Sequence, residues 1–327
     1  MLGIERHDIL IVGAGLAGLT AARVLVEAGR DVVVIDKGRG VGGRLANRRF
    51  AGRCFDHGAQ FLTVRDPAFR AMVEAWEREG IATPWYESDT GHVRYRGVPA
   101  MTAIAKRLGE DVDVRLGTQV ASIQQEDCWR VRSADGNEYA ATALLLTPPV
   151  PQSLELLSQG KVMLDERVEA RLARLTYEKC FAVMAALDEA PALREPGWFA
   201  PSTGSISWIA DNQAKGISDL PAVTIHATAA FSEARWMMDR EEAADLLIKE
   251  ASEWLTSRVI DRQIHRWRYS KPIQTADVPA MQLSETPRLI IAGDAFGGPR
   301  VEGAALSGMA AADMLLQGTP QSERRAS

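Results

Sequence analysis

The sequence has little of what marks secreted, membrane-spanning or nucleic-acid-binding proteins. It contains three cysteines in 327 residues, Cys54, Cys128 and Cys180, and their odd number and wide spacing suit neither a disulfide framework nor a metal site. No stretch reaches the roughly 18 apolar residues needed to cross a bilayer. The net charge of -5 gives no support for a nucleic-acid or anionic-membrane partner. We therefore expect a protein with reduced thiols and no metal site that binds neither nucleic acid nor membrane.

The beginning of the sequence shows no secretory leader, because its first apolar run, residues 9–12, leads directly into a glycine turn. A cytoplasmic location is therefore expected. Hydrophobic residues make up 46% and charged residues 25% of the chain, which is ordinary for a globular protein with a sizeable core. The length exceeds that of a usual single domain, so we expect two domains.

The first 36 residues have the pattern of a βαβ unit. Residues 9–12 are short, continuous and apolar, which is typical of a buried parallel strand. A glycine turn over 13–18 leads into a predicted helix over 19–28, and residues 31–35 form a second apolar strand ending at Asp36. This order of elements predicts the first half of a doubly wound α/β fold.

The turn in this unit matches G-x-G-x-x-G. Its first glycine permits the tight turn, its second lets a pyrophosphate approach the backbone, and its third allows close helix–strand packing. An acid at the end of the second strand can accept hydrogen bonds from a ribose. The sequence therefore predicts dinucleotide binding, with these candidate residues: Gly13, Ala14, Gly15, Gly18, Asp36 and Lys37.

Two further features favour FAD over NAD. Residues 39–44, ending in Gly43-Arg44, follow the acid directly and add exposed backbone and a cation for the diphosphate. A late apolar strand, 289–292, ends in Gly293-Asp294 and precedes a helix predicted from about Gly303. Since FAD is longer than NAD, a late strand can bring a carboxylate to the ribityl hydroxyls, and the helix can direct its positive end at the flavin. No attachment motif is present, so we expect non-covalent FAD.

The rest of the chain alternates between helical and strand patterns. Helices are predicted over 67–79 and from 240 to about 255. Short strands are predicted over these segments: 114–116, 120–123, 129–132, 144–146, 181–187 and 223–227. The proline-rich segment 147–151 is interpreted as a crossing between domains. We assign residues 1–65, 101–150 and 280–327 to a cofactor domain and residues 66–100 and 151–279 to a substrate domain.

With these motifs, the sequence resembles the flavin-containing amine oxidase superfamily and, within it, the renalase family. The resemblance extends over both predicted domains. It is carried by the glycine motifs together with these segments: 56–61 (DHGAQF), 146–151, 208–212, 223–228, 267–270 (WRYS) and 293–296. It implies a Rossmann-like FAD-binding domain of the glutathione-reductase/amine-oxidase type, with an interleaved α+β substrate domain.

The resemblance implies an enzyme that oxidises the 2- and 6-dihydro isomers of NAD(P)H to NAD(P)+, with dioxygen reoxidising the flavin to give hydrogen peroxide. It also implies site residues. Asp294 and the turn Arg300, Val301, Glu302 and Gly303 would lie along the flavin, and Val120 would touch the adenine through its backbone. His57, Gly58, Ala59, Gln60, Phe61 and His226 would face the substrate.

Several of these side chains have a second interpretation. The amide of Gln60 could bond a carboxamide through both its donor and its acceptor. His226 lies in an apolar strand, where a lone histidine is often a satisfied core residue. Trp267 and Tyr269 recur at strand spacing, which suits a substrate slot or ordinary core packing. Arg96 could reach the slot or remain solvated.

The chemistry itself leaves rival functions open. Hydride transfer from a dihydropyridine needs a flat slot against the flavin and no protein nucleophile, and the sequence has no serine or cysteine nucleophile motif. One alternative is a true amine oxidase, which needs an aromatic cage for a neutral amine. Another is a flavin-bearing protein whose role is binding or redox sensing.

Overall fold

The fold is known from a computed structural model that describes residues 4–317. Residues 318–327, which were assigned above to the cofactor domain, lie outside this range. Within the range, the helices are α1 (Leu16–Glu27), α2 (Pro67–Arg78), α3 (Thr102–Leu108), α4 (Val150–Gln159), α5 (Glu166–Ala173), α6 (Ala229–Ala234), α7 (Arg240–Glu250), α8 (Ser252–Leu255), α9 (Asp294–Gly297) and α10 (Val301–Gln317). None of the helices in this range is long and apolar enough to span a membrane.

The strands of residues 4–317 are β1 (Glu5–Val12), β2 (Val32–Ile35), β3 (Asn47–Phe50), β4 (Arg53–Asp56), β5 (Leu62–Thr63), β6 (Ala82–Glu87), β7 (Val93–Gly97), β8 (Asp113–Arg115), β9 (Val120–Gln125), β10 (Trp129–Ser133), β11 (Glu138–Leu146), β12 (Tyr177–Leu187), β13 (Trp198–Phe199), β14 (Ile206–Asp211), β15 (Ala222–Ala227), β16 (Val259–Pro272), β17 (Met281–Glu285) and β18 (Arg288–Ile291).

The largest sheet has the order β17-β18-β11-β1-β2-β8. Its central pairs, from β18 through β11 and β1 to β8, are parallel. The antiparallel β9–β10 hairpin pairs with the first half of β11. Strand β18 pairs with the second half of β11, on the same side of that strand. This sheet unites the beginning, middle and end of the chain, and with the helices on its two faces it confirms the predicted Rossmann-like α/β class.

The core on each face of this sheet follows from the alternation of side chains along a strand. Ile9 and Ile11 pack on one side with α1 and α10, whereas Leu10 and Val12 pack on the other with α4 and β10. Helix α10 lies very close to α1, because a Cβ added to Gly308 would be 2.3 Å from the Ala17 carbonyl oxygen. The C-terminal helix is thereby fixed against the first glycine turn.

A second, wholly antiparallel sheet has the order β13-β14-β15-β12-β16. The face formed by Phe181, Val183, Val223 and Ile225 is covered by α6, α7 and α8. The opposite face carries the intervening residues of β12, β15 and β16. This sheet and its helices form an α+β unit that lies, along the chain, between strands β11 and β17 of the main sheet. Two smaller sheets, β3–β4 and β5–β7–β6, draw their strands from residues 47–97.

The segment 147–151, interpreted above as a crossing between domains, follows the end of β11 and contains the start of a helix. Helix α4 begins within it, at Val150. Proline is tolerated in the first turn of a helix because the N–H that it lacks has no intrahelical acceptor there. Pro149 and Pro151 therefore mark the start of α4. The predicted helix over 240–255 is also divided, at Ala251, into α7 and α8.

Candidate functional site

The two N-terminal glycine motifs lie side by side. The Gly42 N–H donates to the Ala14 carbonyl (2.8 Å), and Gly15 and Gly42 form a parallel bridge. Gly13 has a φ of +105°, and a Cβ there would come within 2.5 Å of Thr147 Oγ1. A side chain at Gly13 is therefore excluded by both conformation and space, which is the reason for the first glycine of the motif.

The turn at the start of α1 fits a diphosphate. A Cβ added to Gly15 would meet nothing within 4 Å, so the turn borders open space that a ligand can fill. Gly15 is the N-cap of α1, no side chain caps the helix, and its first turn has no acidic residue. The free N–H groups of that turn therefore suit the phosphates of FAD.

Asp36 is tied to both neighbouring turns. Its carboxylate accepts hydrogen bonds from the Ala14 N–H (2.7 Å) and the Gly38 N–H (2.6 Å). Its carbonyl accepts from the Thr118 N–H, which brings the start of β9, at Val120, to the same edge. Each carboxylate oxygen has a second lone pair, so the predicted ribose contact remains open to Asp36. Lys37 is exposed beside it.

An ion pair joins the Gly-Gly-Arg motif to the late Gly-Asp motif. The Arg44 guanidinium donates to the Asp294 carboxylate through both terminal nitrogens, with Nη2 to Oδ1 at 2.8 Å, and Nη1 also donates to the Ser270 carbonyl. The Arg44 guanidinium lies 5.8 Å from the centre of the Tyr177 ring, and Tyr177 contacts Tyr269 edge-on. The two motifs that favoured FAD thus meet, although Arg44 was predicted to face the diphosphate.

The residues of the turn after Asp294 differ in burial and in what they contact. Glu302 is buried, and its Oε1 accepts from the N–H groups of Arg65 (2.6 Å) and Asp66 (2.7 Å). Gly303 packs against the backbone, since an added Cβ would lie 2.3 Å from the Gly298 carbonyl oxygen. Arg300 is exposed and Val301 is half-buried. The Glu302 side chain therefore holds the segment before α2.

The DHGAQF segment rests on the Arg44 backbone. The Ala59 N–H donates to the Arg44 carbonyl (2.8 Å), and a Cβ on Gly58 would lie only 2.0 Å from that oxygen. The His57 N–H donates to the Ala46 carbonyl. Glycine at position 58 is thus required for this close approach, which places residues 57–61 directly beside the Arg44–Asp294 pair.

The face of the antiparallel sheet that is free of helices covers the same segment. Thr224 Oγ1 donates to the Asp56 carbonyl (2.9 Å). The His57 carbonyl accepts from Trp267 Nε1 (2.8 Å) and lies 3.1 Å from His226 Nε2. Because alternate residues of a strand share a face, one sheet surface brings these side chains to the DHGAQF segment.

Three of the five histidines meet in this region. The His57 ring is stacked on Trp267 (centroids 5.3 Å apart), and His265 contacts both rings edge-on. Burial, with nearby Arg48, lowers the pKa of His57 to about 3 and that of His265 to about 4. Burial likewise lowers the pKa of His226 to about 4. At neutral pH the imidazoles of His57 and His265 form an uncharged aromatic wall with Trp267, and His226 is also uncharged.

Gln60 differs from its prediction. It is buried, and its Nε2 donates to the carbonyls of Asp56 (2.7 Å) and Gly58 (3.2 Å), so both amide hydrogens are used within the segment. Its Oε1 has no hydrogen-bond partner within residues 4–317. Gln60 can therefore offer a ligand an acceptor, but not the donor that was also expected.

A buried ion pair that was not predicted lies beneath the segment. Lys215 Nζ is 2.8 Å from Asp56 Oδ2, and both side chains are fully buried. Lys215 also lies over the ring of Trp85 (5.1 Å). Arg96 is half-buried against Gly216, where its guanidinium interacts with Asp56. Lys215 carried no sequence signal, because its partner is 159 residues away along the chain.

The sequence-predicted residues thus fall into two groups. Those around Arg44–Asp294 and residues 57–61, with Arg96, His226, Trp267 and Tyr269, come together. Val120, Asp36 and Lys37 lie at the far end of the glycine turns. His265, Tyr177 and Lys215 belong to the first group but were missed, although His265 shares the strand spacing that marked Trp267 and Tyr269.

Comparison with known proteins agrees with this geometry. A family model described as flavin containing amine oxidoreductase matches residues 77–316, and one described as an NAD(P)-binding Rossmann-like domain matches residues 11–76. A solved double mutant of putrescine oxidase is similar with a TM-score of 0.74 at 15% identity, over 96% of this chain and 100% of that chain.

Two curated relatives match this chain over very different lengths. Renalase from Mus musculus is 26% identical over 319 residues, which cover 88% of this chain and 92% of that protein. Putrescine oxidase from Kocuria rosea is 42% identical over 71 residues, only 22% of this chain and 15% of that protein. The chain is an FAD-dependent oxidoreductase similar to renalase, and it belongs to the flavin containing amine oxidoreductase family.

Proposed function

We propose that the chain oxidises the 2- and 6-dihydro isomers of NAD(P)H to NAD(P)+, with dioxygen as the final electron acceptor and hydrogen peroxide as the second product. FAD supplies the hydride acceptor. The observation that carries the proposal is the uncharged wall of His57, His265 and Trp267 beside the Arg44–Asp294 pair.

This wall suits the proposed reaction. The C–H bond at ring position 2 or 6 breaks with its electron pair, and the dihydropyridine becomes an aromatic pyridinium, so no protein base is needed. What the protein must supply is a flat, dry slot that holds the ring in place. Neutral imidazoles and an indole offer that surface, and they add no positive charge against the cationic product.

Gln60 can orient the substrate ring. Its Oε1 is buried without a partner among the described residues, and an unpaired buried acceptor is costly. The carboxamide N–H of a nicotinamide ring would satisfy it. We propose His57, Gly58, Ala59, Phe61, Arg96, His226, Trp267 and Tyr269 as the other substrate-side residues.

We further propose non-covalent FAD at the sequence-predicted positions, and the two-domain division given above. The main sheet draws its strands from residues 5–12, 32–35, 113–146 and 281–291, within the proposed cofactor domain.

Burial raises the pKa of Cys180 to about 12, so this thiol stays protonated and unreactive. Release of the yellow cofactor on acid precipitation would support non-covalent binding, and a yellow pellet would contradict it.

The charge near the slot disfavours an amine substrate. Asp56 is neutralised by Lys215, and Arg94 and Arg96 lie half-buried on β7. These cations suit the phosphates of a dinucleotide and would repel a protonated amine. The partial coverage of putrescine oxidase, against the nearly full coverage of renalase, supports the same choice.

Anaerobic stopped-flow measurement of flavin bleaching tests the proposal. The FAD-loaded protein is mixed in turn with a borohydride-reduced NAD preparation rich in the 2- and 6-dihydro isomers, with pure 4-dihydro NADH, and with putrescine. We expect rapid bleaching by the isomer mixture alone, with NAD as product. Rapid bleaching by putrescine alone would instead indicate an amine oxidase. No bleaching by any donor would favour a non-catalytic role.

A further inference from the structure

A set of aromatic side chains extends away from the slot, starting at the last residue of the DHGAQF segment. We call it the aromatic cluster; it consists of Phe61, Trp85, Tyr86, Trp198 and Trp208. Phe61 contacts Trp208 (5.5 Å between centroids) and Tyr86 (6.4 Å), and Trp198 is stacked on Trp208 at 4.5 Å. All five are half-buried, so the cluster is neither a closed core nor a free surface.

An arginine covers one end of the aromatic cluster. The Arg94 guanidinium carbon lies 4.9 Å from the centre of the Phe61 ring, and Arg94 also interacts with the Tyr86 hydroxyl. Arg94 and Arg96 are two residues apart on β7, so they project from the same side of the strand. A positive charge therefore lies between the slot and the stacked indoles.

Three donors in this region lack acceptors. The indole Nε1 atoms of Trp198 and Trp208 and the Nε of Arg94 are buried, and none has a hydrogen-bond partner within residues 4–317. A buried donor left unpaired costs about 1–3 kcal/mol. Simple packing between two sheets gives no reason to keep three of them together. A ligand that brings a flat ring to the indoles and an anionic group to Arg94 would suit this region, and its oxygens could accept from these N–H groups.

We propose that the aromatic cluster and Arg94 bind the adenosine diphosphate half of the dinucleotide substrate, an inference that rests on the proposed function. The adenine would stack on the indoles, and the diphosphate would accept from Arg94. The position of the cluster beside the slot supports this occupant. Phe61 follows Gln60 directly in the chain, so a dinucleotide whose nicotinamide ring is held at Gln60 would extend its phosphates towards Arg94. A protonated amine fits poorly, since it brings more donors and a positive charge.

Equilibrium binding of ADP-ribose to the FAD-loaded protein tests the cluster without turnover. Isothermal titration calorimetry is applied to the wild type, to Trp208→Leu and to Arg94→Gln. Trp236→Leu is the matched control, because Trp236 is another partly buried indole that packs on Phe181, away from the cluster. Each test variant should bind about tenfold more weakly, as expected for loss of one stacked ring or one charge-assisted bond. The control should match the wild type.

Flavin content, measured in every variant, separates loss of the subsite from misfolding. If Trp208→Leu loses FAD, Arg94→Gln carries the test alone. Absence of ADP-ribose binding to the wild type, or equal binding by all variants with full flavin, would overturn the proposal.

A second comparison separates this inference from the proposed function. The dihydro isomers of NAD are compared with those of nicotinamide riboside, which has the same ring and no diphosphate or adenine. The variants should raise the half-saturating concentration about tenfold for the dinucleotide alone, with an unchanged limiting rate of flavin reduction. An equal effect on both donors would overturn the subsite and leave the function standing. Bleaching by neither donor, with ADP-ribose binding still weakened in the variants, would overturn the function and leave the subsite standing.

Discussion

The Asp56–Lys215 pair provides the sharpest test of how the site is held together. Both side chains are fully buried, at 2.8 Å, and Asp56 has the Met101 N–H as its other side-chain donor. The Lys215→Met change keeps the length of the side chain but leaves a buried carboxylate without its cation. Removing one member of such a pair costs about 3–5 kcal/mol, a large part of a typical stability of about 5–15 kcal/mol.

Thermal unfolding of the FAD-loaded protein, at one fixed excess of FAD, measures this cost. We expect Lys215→Met to lower the melting temperature by roughly 4–7 °C. The Asp56→Asn/Lys215→Met double variant removes both charges and should be closer to the wild type than either single variant, because neither partner then remains buried alone. Arg107→Gln is the control; it breaks an exposed pair with Glu79 and should change the melting temperature little.

The pH dependence of Asp56→Asn gives an independent check. Burial lowers the pKa of Lys215 below its ordinary 10.5, and Asp56 opposes this shift. Without Asp56 the pKa should fall further, so in the folded state Lys215 loses its proton while the unfolded chain keeps it. Stability then increases with pH below 10.5, and the deficit of Asp56→Asn should shrink between neutral pH and that value. Additive single-variant effects, or a deficit independent of pH, would refute the buried-charge reasoning.

Three further outcomes are expected. The Gln60→Ala change should slow flavin reduction by the dihydro isomers about tenfold with unchanged FAD content, because it removes a buried acceptor, and a normal stopped-flow rate would exclude Gln60 from the site. The Asp36→Ala change should weaken FAD binding, since it frees the Ala14 and Gly38 N–H groups, and full flavin occupancy after purification would contradict this. The folded pKa values of His226 and His265 are lowered from 6.5 to about 4, so their contribution to stability should be constant above pH 6.5 and fall from there towards pH 4. Chemical unfolding at pH 7 and 5 should show a smaller loss of stability in His265→Gln than in the wild type, and an equal loss would contradict it.

The parts of the fold that could be predicted from the sequence are those that local patterns determine. Residues 9–12 and 289–292 are continuous apolar runs beside glycine turns, and both are strands of the main sheet, displaced by a few residues at their ends. The helix predicted over 67–79 is α2, which begins with an N-cap at Asp66 and a first-turn proline. The prolines near Val150 did not predict the start of α4, because the same residue type either starts a helix or interrupts one.

The site could be predicted only in part, because its contacts connect distant segments. The spacing of Trp267 and Tyr269 along β16 indicated a shared face, but not that the face covers His57, some 210 residues earlier. Lys215 lies in a polar turn after β14, and nothing local marks it as the partner of Asp56. Pairing of this kind depends on how two sheets are oriented, which strand alternation within one segment does not specify.

The acidic residues show that a motif predicts where a site lies better than it predicts which group each side chain contacts. Asp36, Asp294 and Glu302 were all predicted to face FAD, yet each carboxylate bonds a group of the protein. Glu302 connects α10 to residues 65–66, and Asp294 connects the end of the chain to Arg44. Segments more than 230 residues apart are thereby joined. Since carboxylates that bind N–H groups order the backbone beside them, these acids hold the cofactor turns in shape, and any contact that they make to FAD is additional to that role.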